Sequence, residues 1–353
     1  MILIKDSGLM YRTMNFLRKI KNIVETNRFI SSTFDAAASS FIYKFFINQR
    51  IIRFTKKIKE DKKYNIVIET SNICNAKCVM CPHVIMKRKM GVMSDETFDL
   101  IMRRINDEKI DPPAFMLNGF GDPLTDKKIF ERIGIVKRMF PKSVTKFYTN
   151  LGLANDEVIG NIASCGLDEI NVSFNGYDKA NYEETMKISY EKTLENLDKL
   201  IEERDRNNQK LKIRISMALV SNNDGDEKKF IKKWSRKVDS VSVNKVHSYG
   251  QSIEDPSGKN EINFNKLSYP CKYIWNTIVF GIYGDLFICC LDYEGEMNFG
   301  NVKDKNILDI FYSERFEKIR EMHLKNDIKK IRMCEKCYTP YKNGVEWLVD
   351  KLY

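Results

Sequence analysis

Three closely spaced cysteines in the first quarter of the chain are the residues best suited to do chemistry. Cys74, Cys78 and Cys81 follow a C-x3-C-x2-C spacing. A cluster of four irons and four sulfides needs four ligands, so three thiolates would leave one iron open to bind another molecule. A zinc site would need a fourth ligand nearby, and His83 is the only close candidate, its approach restricted by Pro82. Core cysteines grouped by chance are the third interpretation.

A second group of cysteines lies near the C-terminus. Cys271 precedes Gly284 by twelve intervening residues, and Cys289 follows Gly284 in a G-x4-C spacing. Cys334 and Cys337 form a C-x2-C pair. A hairpin turning at Gly284 would bring Cys289 back near Cys271, and four thiolates can close a second cluster. A zinc ion held by the same four thiols is the alternative.

The elements that must position these cysteines are strands alternating with helices. Short apolar runs, which we interpret as strands, lie at 66–68, 114–117, 145–148, 170–174, 213–220 and 238–246. Charged helical segments lie between them, and the longest are predicted at 94–105 and 178–206. This alternation predicts an α/β fold, a partial (β/α)6 TIM-like barrel with functional residues at the carboxyl ends of its strands.

The remainder of the chain predicts two further units. Residues 1–60 show apolar residues at helical spacing and are predicted to form an N-terminal helical extension. The barrel is assigned to 61–250, and a small cysteine-rich domain to 251–353, with the boundary in a polar loop. The basic helices of the extension can lie on a membrane surface, but packing against the neighbouring domain is favoured.

Composition limits the possible partners and compartment. The net charge is +11, yet the lysines are dispersed through Lys-Glu helices, so nucleic-acid binding is not predicted. Nine cysteines, mostly in clustered motifs, predict a reducing compartment and hence a cytoplasmic protein. No apolar run of about 18 residues and no signal-peptide pattern occurs, so no membrane span is predicted.

Placed after the first strand, the C-x3-C-x2-C loop resembles that of the radical S-adenosylmethionine (SAM) superfamily. The resemblance implies that SAM binds the open iron of a [4Fe-4S] cluster and is cleaved reductively to a 5'-deoxyadenosyl radical, which removes a substrate hydrogen. The C-terminal spacing resembles the SPASM/twitch extension of this superfamily. It implies an auxiliary [4Fe-4S] cluster on Cys271, Cys289, Cys334 and Cys337, with Cys290 spare.

The segment that ends the second strand resembles the Gly-x-Gly-Glu-Pro element with which this family contacts the SAM amino group. It contains Gly119, Gly121, Asp122 and Pro123, and Asp122 replaces the usual Glu. The two glycines permit close backbone approach to a ligand, and the carboxylate suits an ammonium group. A turn without a ligand is the alternative.

Later strands supply the remaining predicted SAM contacts. Asn150 lies in a stretch similar to the family's Thr-Asn-Gly element and would face the active-site mouth. Ser173 and Asn175 lie in a stretch similar to Ser-x-Asp-Gly, where Ser173 would hydrogen-bond SAM. Arg214 is predicted to bind the methionine carboxylate, with a surface salt bridge as the alternative. Asn222, at the end of that strand, is predicted to contact the ribose.

The cysteine spacings resemble twitch-type aminocyclitol dehydrogenases more than seven-cysteine peptide maturases. The resemblance implies oxidation of a carbohydrate or polyol carbon, with the auxiliary cluster as electron acceptor and a flavodoxin- or ferredoxin-type donor. A peptide or metalloenzyme maturase is the alternative within the superfamily. A non-catalytic iron-sulfur redox sensor is the alternative from another class, although a sensor needs no SAM-binding elements. His247 and Tyr249 are either substrate contacts or structural residues.

Overall fold

The computed structural model describes residues 41–207, 210–247, 249, 270–335, 337 and 339. The strands are β1 (Asn65–Ile68), β2 (Ala114–Met116), β3 (Val144–Thr149), β4 (Glu169–Ser173), β5 (Lys212–Leu219), β6 (Ser240–Lys245), β7 (Thr277–Phe280), β8 (Asp285–Phe287) and β9 (Asn298–Asn301). The helices are α1 (Phe41–Asp61), α2 (Asp95–Asp107), α3 (Ile129–Met139), α4 (Asp156–Ser164), α5 (Lys179–Met186), α6 (Tyr190–Arg206), α7 (Glu227–Trp234), α8 (Tyr273–Asn276), α9 (Ile307–Phe311), α10 (Glu314–Leu324) and α11 (Arg332–Glu335).

Strands β1 to β6 pair in parallel as neighbours in chain order, as in a partial barrel. Their register aligns Phe147 with Ile170 and Ile170 with Ile213. These side chains are fully buried in the core cluster to which the helices also contribute. Because side chains alternate along a strand, the opposite face carries residues such as Tyr148, which is partly exposed. The predicted strands and barrel-like α/β fold are confirmed.

The C-terminal segment continues the sheet of the barrel. Strand β7 pairs in parallel with β1, aligning Val67 with Val279, and β8 pairs antiparallel with β7. Gly284 lies in the connecting turn with a φ of 87°, which glycine adopts without a steric penalty. The predicted hairpin is therefore confirmed, whereas its pairing beside the first strand was not predicted. The boundary in the loop after Tyr249 lies outside the described residues, and the domain limits stay predictions.

The single helix predicted at 178–206 is wrong, because two helices occupy this range. Lys187 ends α5 in the left-handed conformation, with a φ of 59°. Ser189 then begins α6 by accepting a hydrogen bond from the backbone N–H of Lys192. A left-handed residue followed by a serine cap stops one helix and starts the next.

Helix α1 packs on the barrel, as the favoured interpretation predicted. Ile51, Phe54 and Ile58 are buried, and the latter two belong to the main core cluster. Ile52 on the same helix is 52% exposed. The predicted helical pattern in residues 1–40 lies outside the described residues. Within the part of the chain that the structure describes, no helix has the length and apolar character needed to cross a membrane.

We expect Phe54→Ala to lower the free energy of unfolding by about 3 kcal/mol, because it removes a buried aromatic ring and leaves a cavity. Ile52→Ala on the same helix is the matched control, with an expected change within about 0.5 kcal/mol. Anaerobic urea unfolding followed by circular dichroism measures both. Equal losses in the two variants would contradict the assigned packing of α1.

Candidate active site

The loop that carries the first three cysteines follows β1 and spans residues 69–92, here called the cysteine loop. Asn72 closes it with its side chain. The amide oxygen accepts the backbone N–H of Gly91 at 2.7 Å, and the amide nitrogen donates to the carbonyl of Lys89 at 3.0 Å. Buried main-chain groups of an irregular segment need such partners. One asparagine therefore fixes both ends of the segment from which the thiols project.

The three thiols of the cysteine loop lie in a partly buried environment. The amide nitrogen of Asn150 lies 3.9 Å from the sulfur of Cys74 and donates to it. The sulfur of Cys78 lies 3.4 Å from that of Met186. Burial raises the pKa of Cys74 to about 11, and the charges of Asp122 and Cys81 add to the increase. Thiolates are the ligands of iron, so cluster assembly must remove a proton from each thiol.

His83 does not act as a fourth ligand in this arrangement. It is buried, and its Nε2 lies 3.0 Å from the carbonyl oxygen of Asn72. Among the described residues, no three His, Cys, Asp or Glu side chains converge closely enough to hold a single metal ion. A cubane places each ligand on a different iron, so its thiolates stand further apart than those of a mononuclear zinc site.

A cavity of about 260 Å³ opens at the carboxyl ends of β1 to β6, where the three thiols project. Predicted site residues that line it are Gly119, Gly121, Asp122, Asn150, Ser173 and Asn175. Further lining residues that were not predicted as SAM contacts include Tyr148, Met186, Ser216 and Asn244. Tyr249, predicted only as a possible substrate contact, lines it too. Direct contact between SAM and each of these residues stays a prediction.

The two glycines after β2, Gly119 and Gly121, pack closely against atoms of the cysteine loop. A Cβ at Gly119 would lie 2.4 Å from the carboxylate oxygen of Glu69. A Cβ at Gly121 would lie 2.4 Å from the carbonyl oxygen of Ser71 and 2.6 Å from that of Ile73. The close approach predicted for these glycines therefore includes packing against the cysteine loop itself.

Asp122 is a buried carboxylate that joins β2 to β3. Its oxygens accept the hydroxyl of Thr149 at 2.9 and 3.0 Å, the backbone N–H of Asn150 at 2.9 Å and that of Leu124 at 3.0 Å. Burial raises the pKa of Asp122, while these hydrogen bonds oppose the increase. The carboxylate thus positions Asn150 beside Cys74, a role that the predicted ammonium contact did not include.

Three predicted residues lie outside the lining of the cavity. Arg214 forms an ion pair with Glu169 at 2.9 Å and is half exposed, as in the salt-bridge alternative. It lies near the start of β5, whereas ligands gather at the carboxyl ends of strands, and its contact with SAM stays a prediction. The side chain of Asn222 bonds Thr185 and Glu184, and its contact with the ribose stays a prediction too. Pro123 is buried at the start of the short 3-10 turn Pro123–Thr125.

The C-terminal thiols gather in a second site. Burial raises the pKa of Cys271 to about 12, and the charge of Cys337 adds to the increase. Burial raises the pKa of Cys289 as well, with contributions from the charges of Cys290 and Cys334. These thiols therefore lie within electrostatic range of one another. Four thiolates in one buried place suit a second iron-sulfur cluster.

His323 offers a further test of whether this second site fits a cluster. Its Nδ1 accepts the backbone N–H of Cys271 at 3.3 Å, so the ring proton belongs on Nε2. That nitrogen is buried and has no hydrogen-bond partner among the described residues. A buried N–H without an acceptor is costly, and a sulfide or thiolate of a bound cluster would be a suitable acceptor. The surroundings of Cys271 therefore fit a bound iron-sulfur cluster.

The cysteine loop contains an ion pair that was not predicted, and the arginine of this pair also contacts the C-terminal segment that carries the second site. The guanidinium of Arg88 donates to both carboxylate oxygens of Glu69, and its Nε donates to the carbonyl of Tyr293. Both charged side chains are mostly buried. A signal was present, because Glu69 directly follows the apolar run 66–68 on the strand face shared with Val67.

Comparisons with known proteins agree with this geometry. The Radical SAM superfamily model matches residues 68–231, and the SPASM iron-sulfur cluster-binding domain matches 271–338. The chain is 20% identical over 288 residues to the S-adenosyl-L-methionine-dependent 2-deoxy-scyllo-inosamine dehydrogenase of Niallia circulans, which covers 78% of this chain and 94% of that protein.

Two solved structures illustrate the shared fold. BtrN in complex with AdoMet and 2-DOIA has a TM-score of 0.55 at 16% identity, covering 78% of this chain and 92% of BtrN. Streptococcus suis SuiB bound to precursor peptide SuiA has a TM-score of 0.58 at 15% identity, covering 86% of this chain and 80% of SuiB. At these identities the likeness concerns the fold.

Replacing Cys74, Cys78 and Cys81 together by Ala should remove about half of roughly eight irons, because only the C-terminal thiols then hold a cluster. Reductive cleavage of SAM should be lost. Anaerobic iron analysis and chromatography of deoxyadenosine measure the two quantities. Undiminished cleavage in the triple variant would contradict the assignment of the cysteine loop.

Gly121→Ala should displace the cysteine loop, because the new Cβ would overlap the carbonyl oxygens of Ser71 and Ile73. We expect a loss of stability of about 1 to 3 kcal/mol and reduced iron at the first site. Gly160→Ala in α4 is the matched control, since nothing lies within 4 Å of its added Cβ. Iron content and thermal unfolding are measured for both variants. A Gly121→Ala protein that retains all of its iron would contradict the close contact between Gly121 and the cysteine loop.

Proposed function

Because the chain belongs to the radical SAM superfamily and carries a SPASM iron-sulfur domain, we propose that it oxidises a hydroxyl-bearing carbon of a carbohydrate or polyol. It is a radical SAM enzyme whose cofactors are SAM, a [4Fe-4S] cluster and an auxiliary cluster. The alternative of a non-catalytic redox sensor is therefore wrong. The family prediction made from the cysteine spacings is confirmed, while the substrate is our proposal.

The observation that carries the proposal is the adjacency of the two cysteine sites. A second, smaller cavity shares Gly119 with the first and is also lined by Cys289 and Cys290. Its apolar lining includes Val67 and Phe287. Gly119 thus borders both the first cavity and a cavity that Cys289 lines. We infer that this arrangement lets an electron pass from a substrate to the auxiliary site.

The bound cofactors supply the means to remove a hydrogen atom from an unactivated carbon. Oxidation of an alcohol to a carbonyl then requires the loss of one further electron and of the hydroxyl proton. The thiols Cys271, Cys289, Cys334 and Cys337 would hold the group that takes the electron. Since all four positions are thiolates, we infer no open iron there and no direct substrate ligation.

The wall of the first cavity suits a hydroxylated substrate. Neutral side chains that can donate and accept hydrogen bonds line it, namely those of Asn118, Tyr148, Ser173, Ser216 and Asn244. The ring of Tyr249 lies 5.9 Å from that of Phe120 and offers an apolar surface beside these polar groups. Such a wall can bind hydroxyls while packing against the carbon-bound hydrogens of a ring.

The smaller cavity leaves little room for water beside Cys289 and Cys290. Its volume is about 10 Å³, which is room for about one water molecule. Val279 and Phe287 fill the space around it together with Val67. A water-poor environment protects a reactive carbon from side reactions.

The same proposal includes a partner and a compartment. A flavodoxin- or ferredoxin-type protein would supply the electron for SAM cleavage. Among the described residues no cysteine forms a disulfide bond, as expected for a protein that keeps its cysteines for metal in a reducing compartment such as the cytoplasm.

A peptide substrate is the second candidate, because SuiB was solved with a precursor peptide. Its likeness to this chain is a likeness of fold alone. The sugar-derived name of the Niallia circulans relative, which this chain matches over 94% of its length, supports the carbohydrate or polyol proposal instead.

We expect the double variant Cys334→Ala, Cys337→Ala to cleave SAM but to form no oxidised product, because the electron from the substrate has no acceptor. Incubation with 2-deoxy-scyllo-inosamine and related polyols, followed by mass spectrometry for loss of two hydrogens, measures product. Deoxyadenosine formation and circular dichroism in the same samples control for unfolding. Normal product from the double variant would contradict an electron-accepting role.

A further inference from the structure

His247 makes two contacts that fix the position of its ring proton. Its Nδ1 accepts the backbone N–H of Tyr249 at 3.1 Å, and its Nε2 lies 3.7 Å from the sulfur of Cys337. A nitrogen that accepts a hydrogen bond carries no proton, so the proton of the neutral ring belongs on Nε2. The ring therefore donates a hydrogen bond to the thiol of Cys337.

A second buried histidine lies beside the main chain of another auxiliary cysteine, Cys271. The Nδ1 of His323 accepts the backbone N–H of Cys271, and this contact likewise leaves the proton on Nε2. The ring of His323 is buried and makes an edge contact with Trp275, with 6.3 Å between the two ring centroids. Two histidines, each oriented by a backbone N–H, thus keep a proton on Nε2 at the second site: His247 directs it to the thiol of Cys337, and His323 holds it buried without an acceptor among the described residues.

We propose that His247 and His323 are positioning residues that raise the reduction potential of the auxiliary cluster. An N–H that donates to a ligand sulfur, or to a sulfide beside it, stabilises the additional negative charge of the reduced state. Hydrogen bonds to cluster sulfurs are among the factors that set cluster potentials. A higher potential makes the auxiliary site a better electron acceptor.

His247 also connects this tuning to the first cavity. Its ring lies 5.3 Å from the ring of Tyr249, which lines that cavity and packs against Phe120. The residue that hydrogen-bonds an auxiliary thiol is therefore supported by the wall of the SAM cavity. The inference goes beyond the proposed oxidation and does not depend on it, since a potential is measured without substrate.

The test uses the full chain with Cys74, Cys78 and Cys81 replaced by Ala, so that only the auxiliary cluster contributes. In this parent, His247→Phe removes the donor and keeps a ring, whereas His247→Gln keeps an N–H donor. An EPR-monitored redox titration should give a lower midpoint potential for His247→Phe and a value nearer to the parent for His247→Gln. His83→Gln is the matched control, because His83 bonds the carbonyl of Asn72 and should leave the potential unchanged.

An unchanged potential in a fully loaded His247→Phe protein would overturn the proposal for this residue. If the His247→Phe variant loses its cluster, the hydrogen bond from His247 can still be tested in the parent protein, which keeps the cluster. With 15N-histidine incorporated, pulsed EPR of the reduced auxiliary cluster should show a 15N coupling from a hydrogen-bonded ring. A parent spectrum without such coupling would overturn the proposal, whatever the variants do.

The outcomes separate this inference from the proposed oxidation. A lowered potential without any polyol product would support the histidine contacts and contradict the proposed substrate class. Polyol oxidation with no potential shift and no 15N coupling would support the proposed function and contradict the tuning role.

Discussion

The contact between the main chain of Gly121 and the cysteine loop is the constraint on which the first site depends. The loop has little regular structure, so its main-chain groups need partners from elsewhere. The segment after β2 supplies them, since the N–H of Asp122 donates to the carbonyl of Ile73 at 2.8 Å and the hydroxyl of Thr125 bonds Ser71. The end of β2 therefore positions the thiols of Cys74 and its neighbours, and only glycine permits the approach.

The two cysteine sites are held in one framework because β1 has β2 on one side and β7 on the other. The cysteine loop also reaches the C-terminal segment directly. The carboxylate of Glu294 accepts the backbone N–H groups of Lys87 and Arg88, and Arg88 pairs with the buried Glu69. Removing one partner of such a buried pair leaves an uncompensated charge. Displacement of one site would consequently strain the other.

The sequence predicted the barrel strands and many of the residues that line the first cavity, because both leave local signals. Apolar runs mark strands, and the glycines near 119–121 and the polar residues Asn150 and Ser173 follow those runs. Partners distant in sequence leave no such signal. The pairing of β7 with β1 and the ion pair between Arg214 and Glu169 join segments far apart in the chain. Alternation predicted which face of β5 carries Arg214, but it could not predict that Glu169 on the neighbouring strand would pair with its guanidinium.

The same alternation explains how this fold can keep its cofactors while changing its substrate. Phe147 faces the helices and belongs to the core, while its neighbour Tyr148 lines the cavity. On β5, Ile215 likewise belongs to the core, while its neighbour Ser216 lines the cavity. Substitution on the cavity face therefore alters recognition without removing apolar contacts from the core. Relatives with 15 to 20% identity can share the barrel and act on different molecules, so the substrate of this enzyme must be decided by its cavity side chains rather than by its fold.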